Sequence, residues 1–169
     1  MRRFPDTLRG VMILDVPVPG IAGWDQSTQG LWHIGFIQTP GQLAEKLVDG
    51  RQAEFLGWCY DQGTFSPAER AFYVKRYRAP QIHAAFEIYR GFPKDGEWNA
   101  AQTESNSTPL VVAVGEKSFF AGYQQTFVDG HRAKGMAHVE AAVIPGAGHY
   151  VVADNPDGVA EVIERYAAR

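Results

Sequence analysis

Two short runs of the sequence are apolar at consecutive positions, and they constrain the fold more than any other feature. Residues 8–16 read LRGVMILDV and residues 109–115 read PLVVAVG. A strand with one solvent-facing side alternates apolar and polar residues, whereas a parallel strand covered on both faces is apolar throughout. Pro17 and Pro19 end the first run, because proline cannot donate to a sheet ladder. We therefore predict an α/β fold built on a parallel sheet.

The stretch between these runs, residues 24–93, has the pattern of helices. Residues 40–50 and 80–89 carry apolar side chains at helical spacing, and Ser66-Pro67-Ala68-Glu69 is a capping-box start with proline at the first helical position. Most of the aromatic residues lie here, which indicates an inserted lid over the sheet. They include Trp24, Trp32, Phe36, Trp58, Phe72 and Phe86.

The remainder of the chain alternates strand and helix. We predict a strand over 109–115, a helix over 119–133, a strand over 139–144, a loop over 145–149 and a final helix over 156–168. The predicted domains are a core strand and loop (1–23), a helical cap (24–95) and a C-terminal α/β core (96–169).

Composition excludes several classes of protein. The net charge of −3 gives no basic field for nucleic acid. The single cysteine, Cys59, rules out an internal disulfide and a Cys-rich zinc site. No apolar run reaches the roughly 18–20 residues that a membrane span needs. We expect a cytoplasmic protein that binds neither nucleic acid nor membrane.

Two residues follow the predicted strands at the edge where parallel sheets carry their working residues. Asp15 ends the first run, and His149 lies in the loop PGAGH after the last strand. Histidine is the usual general base near neutral pH, and a carboxylate can fix its tautomer. Glu116, after the middle strand, competes with Asp15 for that role. Each of these residues could equally be a turn residue that hydrogen-bonds locally.

His33 and Tyr89 are the polar residues of interest in the helical block. Both are flanked by apolar residues, in WHIGF and FEIYR. Their spacing alone favours core side chains with satisfied polar tips over a functional role.

These segments together resemble the α/β-hydrolase superfamily, and within it the epoxide hydrolase and dehalogenase-like branch. The resemblance implies a partial α/β-hydrolase fold with about three parallel strands and an inserted all-helical cap. The matching segments, in the family's order, are LRGVMILDVPVPG, WHIGFIQTPGQLAEKLVDGR, FSPAERAFYVKRYRAP, AAFEIYRGFP, PLVVAVGEKSFF and VIPGAGHYVVADNP.

The resemblance also implies roles for single residues of the core. His149 matches the family's general base. Asp15 matches the acid that follows the sixth strand in some members, which favours it over Glu116.

In the helical block, His33 and Tyr89 match the two cap residues that donate hydrogen bonds to an epoxide oxygen, and Trp32 and Phe36 are expected to contact the substrate. Fluoroacetate-type dehalogenases also have this histidine, but with tryptophan beside it. This chain has Ile34 there, which favours the epoxide hydrolase pattern.

The family's nucleophile, an aspartate on a strand-to-helix elbow, precedes the first strand found here. The family order is nucleophile, acid, base, and no Gly-x-Ser-x-Gly or comparable elbow occurs in the 169 residues. We therefore predict a truncated or split hydrolase of epoxide hydrolase type that is inactive as this chain alone. The alternatives are a non-catalytic remnant that binds a small molecule or oligomerises, and direct hydrolysis by the Asp15/His149 pair acting on bound water.

The expected partners follow from this pattern. The aromatic block suggests a small apolar or aromatic substrate. No metal or organic cofactor is expected, since the chemistry needs only side chains and water. The first strand should present an apolar edge, which a second chain or a second copy would cover as a heteromer or homo-oligomer.

Overall fold

The computed structural model describes residues 1–167 and contains a parallel sheet in the order β1-β2-β3. The strands are β1 (Val11–Leu14), β2 (Leu110–Gly115) and β3 (Val139–Ile144). The predicted α/β class with three parallel strands is thus confirmed. The helices of the described chain are α1 (Trp24–Thr28), α2 (Trp32–Ile37), α3 (Leu43–Val48), α4 (Gln52–Tyr60), α5 (Pro67–Arg76), α6 (Gln81–Ala100), α7 (Gln124–Ala133), α8 (Val151–Asp154) and α9 (Pro156–Ala167), and 3₁₀ helices span Pro5–Thr7 and Phe119–Tyr123.

Burial differs sharply between the strands. Every residue of β2 is buried, as its unbroken apolar run predicts, because strands flank it on both sides and helices cover both faces. The residues of β1 are only half-buried, since among the described residues β1 has a neighbour on one side alone. β1 ends at Leu14, before the prolines, because Asp15 turns the backbone into the left-handed region (φ 53°).

The helical block, which comprises α1 to α6, follows some of its local sequence signals and departs from others. The capping box predicted at Ser66 is present, with the Ser66 hydroxyl accepting from the Glu69 amide and the Glu69 carboxylate accepting from the Ser66 amide. A helix from Pro40 is wrong: α3 begins at Leu43, because Gly41 and Gln42 both have positive φ and cannot continue a right-handed helix.

Helix α6 is longer than the pattern predicts. It continues through Pro93 to Ala100, so the predicted boundary at residue 95 falls inside a helix. The domain boundaries themselves stay a prediction.

The two predicted C-terminal helices also differ in detail. The stretch 119–133 begins as a 3₁₀ turn, in which the Ser118 hydroxyl accepts from the Phe120 amide, before α7 starts at Gln124. The last helix is described to Ala167, and Ala168, the predicted end, lies outside the described residues.

Three apolar clusters stabilise these layers. One lies between the sheet and α9, a second between the opposite face of the sheet and α7, and a third inside the helical block around Phe86 and Ala44, which are fully buried. In residues 1–167, no helix is both long and apolar enough to cross a membrane.

The carboxyl end of β2 packs directly on the loop that follows β3. The Lys117 amide donates to the carbonyl of Ala147 (2.8 Å), and the Glu116 amide donates to the carbonyl of Ile144 (3.0 Å). At Gly115 an added Cβ would lie 2.1 Å from the carbonyl oxygen of Gly148. Only glycine allows this approach.

Gly115→Ala should therefore destabilise the fold by roughly 1–3 kcal/mol, because the new methyl group meets backbone that cannot rotate away. Urea unfolding followed by circular dichroism measures the loss. Gly122→Ala is the matched control, since an added Cβ there meets nothing within 4 Å. Equal stability of the two variants would contradict the close approach.

Candidate active site

Asp15 is the buried centre of the site. Its side chain is 0% exposed. Oδ1 accepts from the Gly115 amide at 2.8 Å, and Oδ2 accepts from the Ser118 hydroxyl at 2.7 Å. A buried carboxylate is tolerated only when its lone pairs are satisfied, and the end of β2 supplies these donors.

His149 completes the set of donors to Asp15. Its Nδ1 lies 2.8 Å from Oδ2 of Asp15, and 40% of its side chain remains exposed. When Asp15 is ionised it only accepts, so in the neutral imidazole this contact places the proton on Nδ1 and makes Nε2 the acceptor. That arrangement can take a proton from a bound water at Nε2.

Glu116 does not orient the histidine. It is exposed, and its Oε2 accepts from the Gly146 amide at 2.7 Å, which stabilises the turn before His149. The choice between two carboxylates that the residue pattern left open therefore falls on Asp15.

Asp154 ties the His149 loop to the helical block. It accepts from the Gly148 amide at 2.8 Å and from the Thr64 amide, in the α4–α5 connection, at 2.7 Å. Burial opposes its ionisation, but the hydrogen bonds from Thr64 and Gly148 outweigh burial and lower the pKa of Asp154.

A cavity of about 620 Å³ separates the core from the helical block. His149, Ser118 and Phe120 line it from the core side, and His33 and Tyr89 line it from the helical block. The structure thus brings four polar residues predicted from the sequence to one place. His149, His33 and Tyr89 line the cavity, and Asp15 lies directly behind His149.

The His33 ring combines a buried nitrogen with a lowered pKa. Its Nδ1 atom is buried and has no hydrogen-bond partner among the described residues, and its ring centroid lies 6.0 Å from that of Tyr89. Burial first, and the charge of His149 second, lower the pKa of His33. Near neutral pH the imidazole is therefore uncharged, with one N–H to donate.

Tyr89 is the second donor on this wall. Burial raises the pKa of its hydroxyl, with a smaller contribution from Cys59. The phenol therefore keeps its proton near neutral pH and can donate it in a hydrogen bond.

Trp32 and Phe36 do not line the cavity, so the structure does not support the prediction that they contact substrate. On α2, His33, Ile34 and Ile37 face the cavity. Trp32 and Phe36 lie one turn apart on another face of that helix. Trp32 is 49% exposed and packs on Trp58 (ring centroids 5.1 Å apart), while Phe36 joins the cluster inside the helical block.

One group of side chains has the composition of a metal site. Ligand atoms of Glu45, His83 and Glu87 lie within 4.8 Å of one another. Arg90 already forms ion pairs with both carboxylates, at 2.6 Å to Glu45 and 2.7 Å to Glu87. This group is a salt-bridge network that joins α3 to α6.

Several residues of the site carry no recognisable signal in the sequence. Ser118 lies in GEKS, which is not a phosphate-binding loop, yet it holds the buried carboxylate. Tyr150 and Trp58 line the cavity. Only the position of Tyr150, next to His149, could have pointed to it.

Comparison by sequence identifies no relative: no protein-family model matches the chain, and neither does any curated protein. The solved structures do match. The Cif epoxide hydrolase from Acinetobacter nosocomialis superposes with a TM-score of 0.73 at 22% identity, covering 94% of this chain and 53% of that one. A variant of the epoxide hydrolase from Solanum tuberosum gives a TM-score of 0.74 at 17% identity, covering 98% and 64%.

A third match is a protein from Nostoc sp PCC 7120 that carries a provisional α/β-hydrolase description, with a TM-score of 0.77, 21% identity and coverage of 98% of this chain and 60% of that chain. The chain has part of the α/β-hydrolase fold, and it spans 53–64% of the length of these three structures.

His33 should titrate below the ordinary histidine value of 6.5, because burial and His149 both oppose its charge. Since its pKa in the folded chain is lower than in the unfolded chain, His33 favours folding above pH 6.5, and this contribution is lost as the pH falls. An NMR titration of the imidazole shifts measures the pKa.

His149→Gln should raise the pKa of His33 only part of the way back toward 6.5, because burial, the larger cause of the lowering, remains. His138→Gln, which alters a histidine outside the cavity lining, should leave it unchanged. An unchanged value in both variants would show that the two cavity histidines are not coupled.

Proposed function

We propose that this chain provides the water-activating and oxygen-binding parts of a hydrolase of epoxide hydrolase type. One observation carries the proposal: a buried-acid/histidine pair and a pair of neutral hydrogen-bond donors face each other across one cavity. The nucleophile is then a carboxylate on a polypeptide segment outside these 169 residues.

The first step is ring opening. The nucleophilic carboxylate attacks an epoxide carbon, the C–O bond breaks, and a covalent ester forms. His33 and Tyr89 hydrogen-bond the epoxide oxygen and stabilise its developing negative charge. The alkoxide that ring opening forms then takes a proton from water. The lowered pKa of His33 supports this role, because a neutral imidazole leaves no unpaired cation in a cavity that binds a neutral substrate.

The second step is hydrolysis of the ester. Nε2 of His149 takes a proton from water, and the resulting hydroxide attacks the ester carbonyl. Asp15 holds the ring in the productive tautomer and stabilises the imidazolium that forms. The imidazolium gives its proton to the departing alkoxide, and the carboxylic acid loses its proton to solvent. The products are a diol and the regenerated carboxylate.

The cavity favours an uncharged, apolar or aromatic substrate. Of the described residues that line it, none is Asp, Glu, Lys or Arg, and the aromatic members come from both walls, Trp58 and Phe92 from the helical block and Phe120 from the core. A charged group would enter without a counter-ion.

The edge of β1 supplies a place for the missing segment. The amides of Val11 and Asp15 donate to β2, to the carbonyls of Pro109 and Ala113. Alternate residues of a strand point to opposite sides, so the backbone of Met12 and Leu14 faces the open edge. We propose that a strand of the nucleophile-bearing polypeptide, or of a second copy of this chain, pairs there.

A binding module without catalysis is the second candidate. It is favoured by the aromatic side chains that line the cavity, Trp58, Phe92 and Phe120 among them. In that case ligand binding needs none of the polar residues that the reaction uses.

Chemical rescue tests the catalytic proposal on this chain as it stands. Formate can replace the missing carboxylate: it opens styrene oxide to a hydroxy-formate ester, which water then hydrolyses to the diol and formate. We expect formate-dependent consumption of styrene oxide above a protein-free control. His33→Phe and Tyr89→Phe should each lower it by about a hundred-fold, because each removes one donor to the oxygen.

The second half of the cycle has its own readout. His149→Phe should consume styrene oxide but accumulate the ester, and Asp15→Asn should slow ester hydrolysis by roughly a hundred-fold or more. Glu116→Gln is the matched carboxylate control and should hydrolyse the ester as the parent chain does. Equal rates with and without protein would reject catalysis and leave the binding module.

The native mass of the chain purified from its source cells tests the open edge of β1. We expect a complex, because an unpaired apolar strand edge is prone to associate. A co-purifying polypeptide with an elbow aspartate would identify the split enzyme, and a self-pair would identify an oligomeric module. A stable monomer with a well-protected β1 would contradict both.

A further inference from the structure

Helix α6 contains a proline at the turn that follows Tyr89. In a regular helix the amide of residue 93 donates to the carbonyl of residue 89. Pro93 has no amide hydrogen, so this bond is absent from α6 and the Tyr89 carbonyl loses its usual donor.

Gln38 provides a replacement. Its side-chain Nε2 donates to the Tyr89 carbonyl oxygen at 2.8 Å, across 51 residues of sequence. Gln38 is half-buried and directly follows Ile37, the last residue of α2. The bond therefore runs from the end of α2 to the proline-interrupted turn of α6.

The two helices that this bond joins are the ones that carry the candidate oxygen donors. His33 is on α2 and Tyr89 is on α6. Helix α2 has six residues and no side-chain hydrogen bond at its N-terminal cap, so contacts with other elements must fix its position. We infer that Gln38 is a positioning residue, which holds His33 and Tyr89 at the separation needed to bind one substrate oxygen together.

Helix α6 has a second anchor, on α3. Arg90 binds both oxygens of Glu45 on α3, at 2.6 and 2.7 Å, and this hydrogen bonding lowers the pKa of Glu45 to about 2. That anchor does not reach α2. Loss of the Gln38 bond therefore removes the hydrogen bond between the end of α2 and α6, while α6 stays attached to α3.

Pro93 makes a sharp test available. Gln38→Met keeps the length of the side chain but removes the donor. Pro93→Ala restores the backbone amide, which can donate to the Tyr89 carbonyl within the helix. If the role of Gln38 is to satisfy that carbonyl, Pro93→Ala should rescue Gln38→Met.

Two probe ligands, one with a carbonyl oxygen and one without, distinguish a role of Gln38 in positioning the donors from a role in packing the cavity wall. 2-Phenylacetamide offers a carbonyl oxygen, and isobutylbenzene has the same shape without it. Affinities come from the fluorescence of Trp24 and Trp58, which line the cavity. We expect the ratio of the amide affinity to the hydrocarbon affinity to fall about five-fold or more in Gln38→Met and to return in Gln38→Met/Pro93→Ala. A purely structural role would weaken both probes alike.

This inference rests on the proposed function. Two further variants distinguish failure of the proposed donor pair from failure of the positioning role of Gln38. His33→Phe and Tyr89→Phe should each lower the same ratio. If they do not, the donor pair is refuted and the role of Gln38 falls with it. If they do, while Gln38→Met leaves the ratio unchanged or Pro93→Ala fails to restore it, the positioning role alone is overturned.

Discussion

The fully buried carboxylate of Asp15 organises the core side of the molecule. Its oxygens take hydrogen bonds from the end of β2, from the start of the 3₁₀ turn and from His149. Each donor is needed, because an unsatisfied buried carboxylate costs far more than one hydrogen bond returns. The left-handed backbone at Asp15 ends β1 and turns this side chain toward the other two strands. Satisfying this one carboxylate therefore fixes three things together: the position of β1 beside β2, the loop after β2 and the orientation of the His149 ring.

The helical block completes the site by facing this centre across the cavity. Its wall differs in kind from the core wall: it holds neutral donors in largely apolar surroundings, whereas the core side holds a hydrogen-bonded carboxylate–imidazole pair. The His149 side chain is 40% exposed, whereas Nδ1 of His33 is buried. The proposed reaction uses this division, with one wall stabilising the leaving oxygen and the other activating water.

The sequence predicts those parts of the fold and the site that depend on neighbouring residues, and misses those that depend on contacts between distant ones. The unbroken apolar run of β2 and the capping box at Ser66 are local, and both appear as expected. Asp15 and His149 could be selected because parallel strands bring their carboxyl ends to one edge. The face of α2 could not be assigned, since six residues define a helical face poorly, and Trp32 and Phe36 do not line the cavity. Ser118 contacts Asp15, and Gln38 contacts Tyr89, across long stretches of sequence, and no spacing reveals such contacts.

Asp154 links the helical block to the loop that carries His149. One carboxylate accepts from Thr64 in the helical block and from Gly148 beside His149. Hydrogen bonds to a charged acceptor contribute about 1.5–3 kcal/mol each. If the α4–α5 connection lifts to admit a ligand, one of these bonds must break or the His149 loop must follow. An opening at this connection would therefore also disturb the loop that carries His149, through this one side chain.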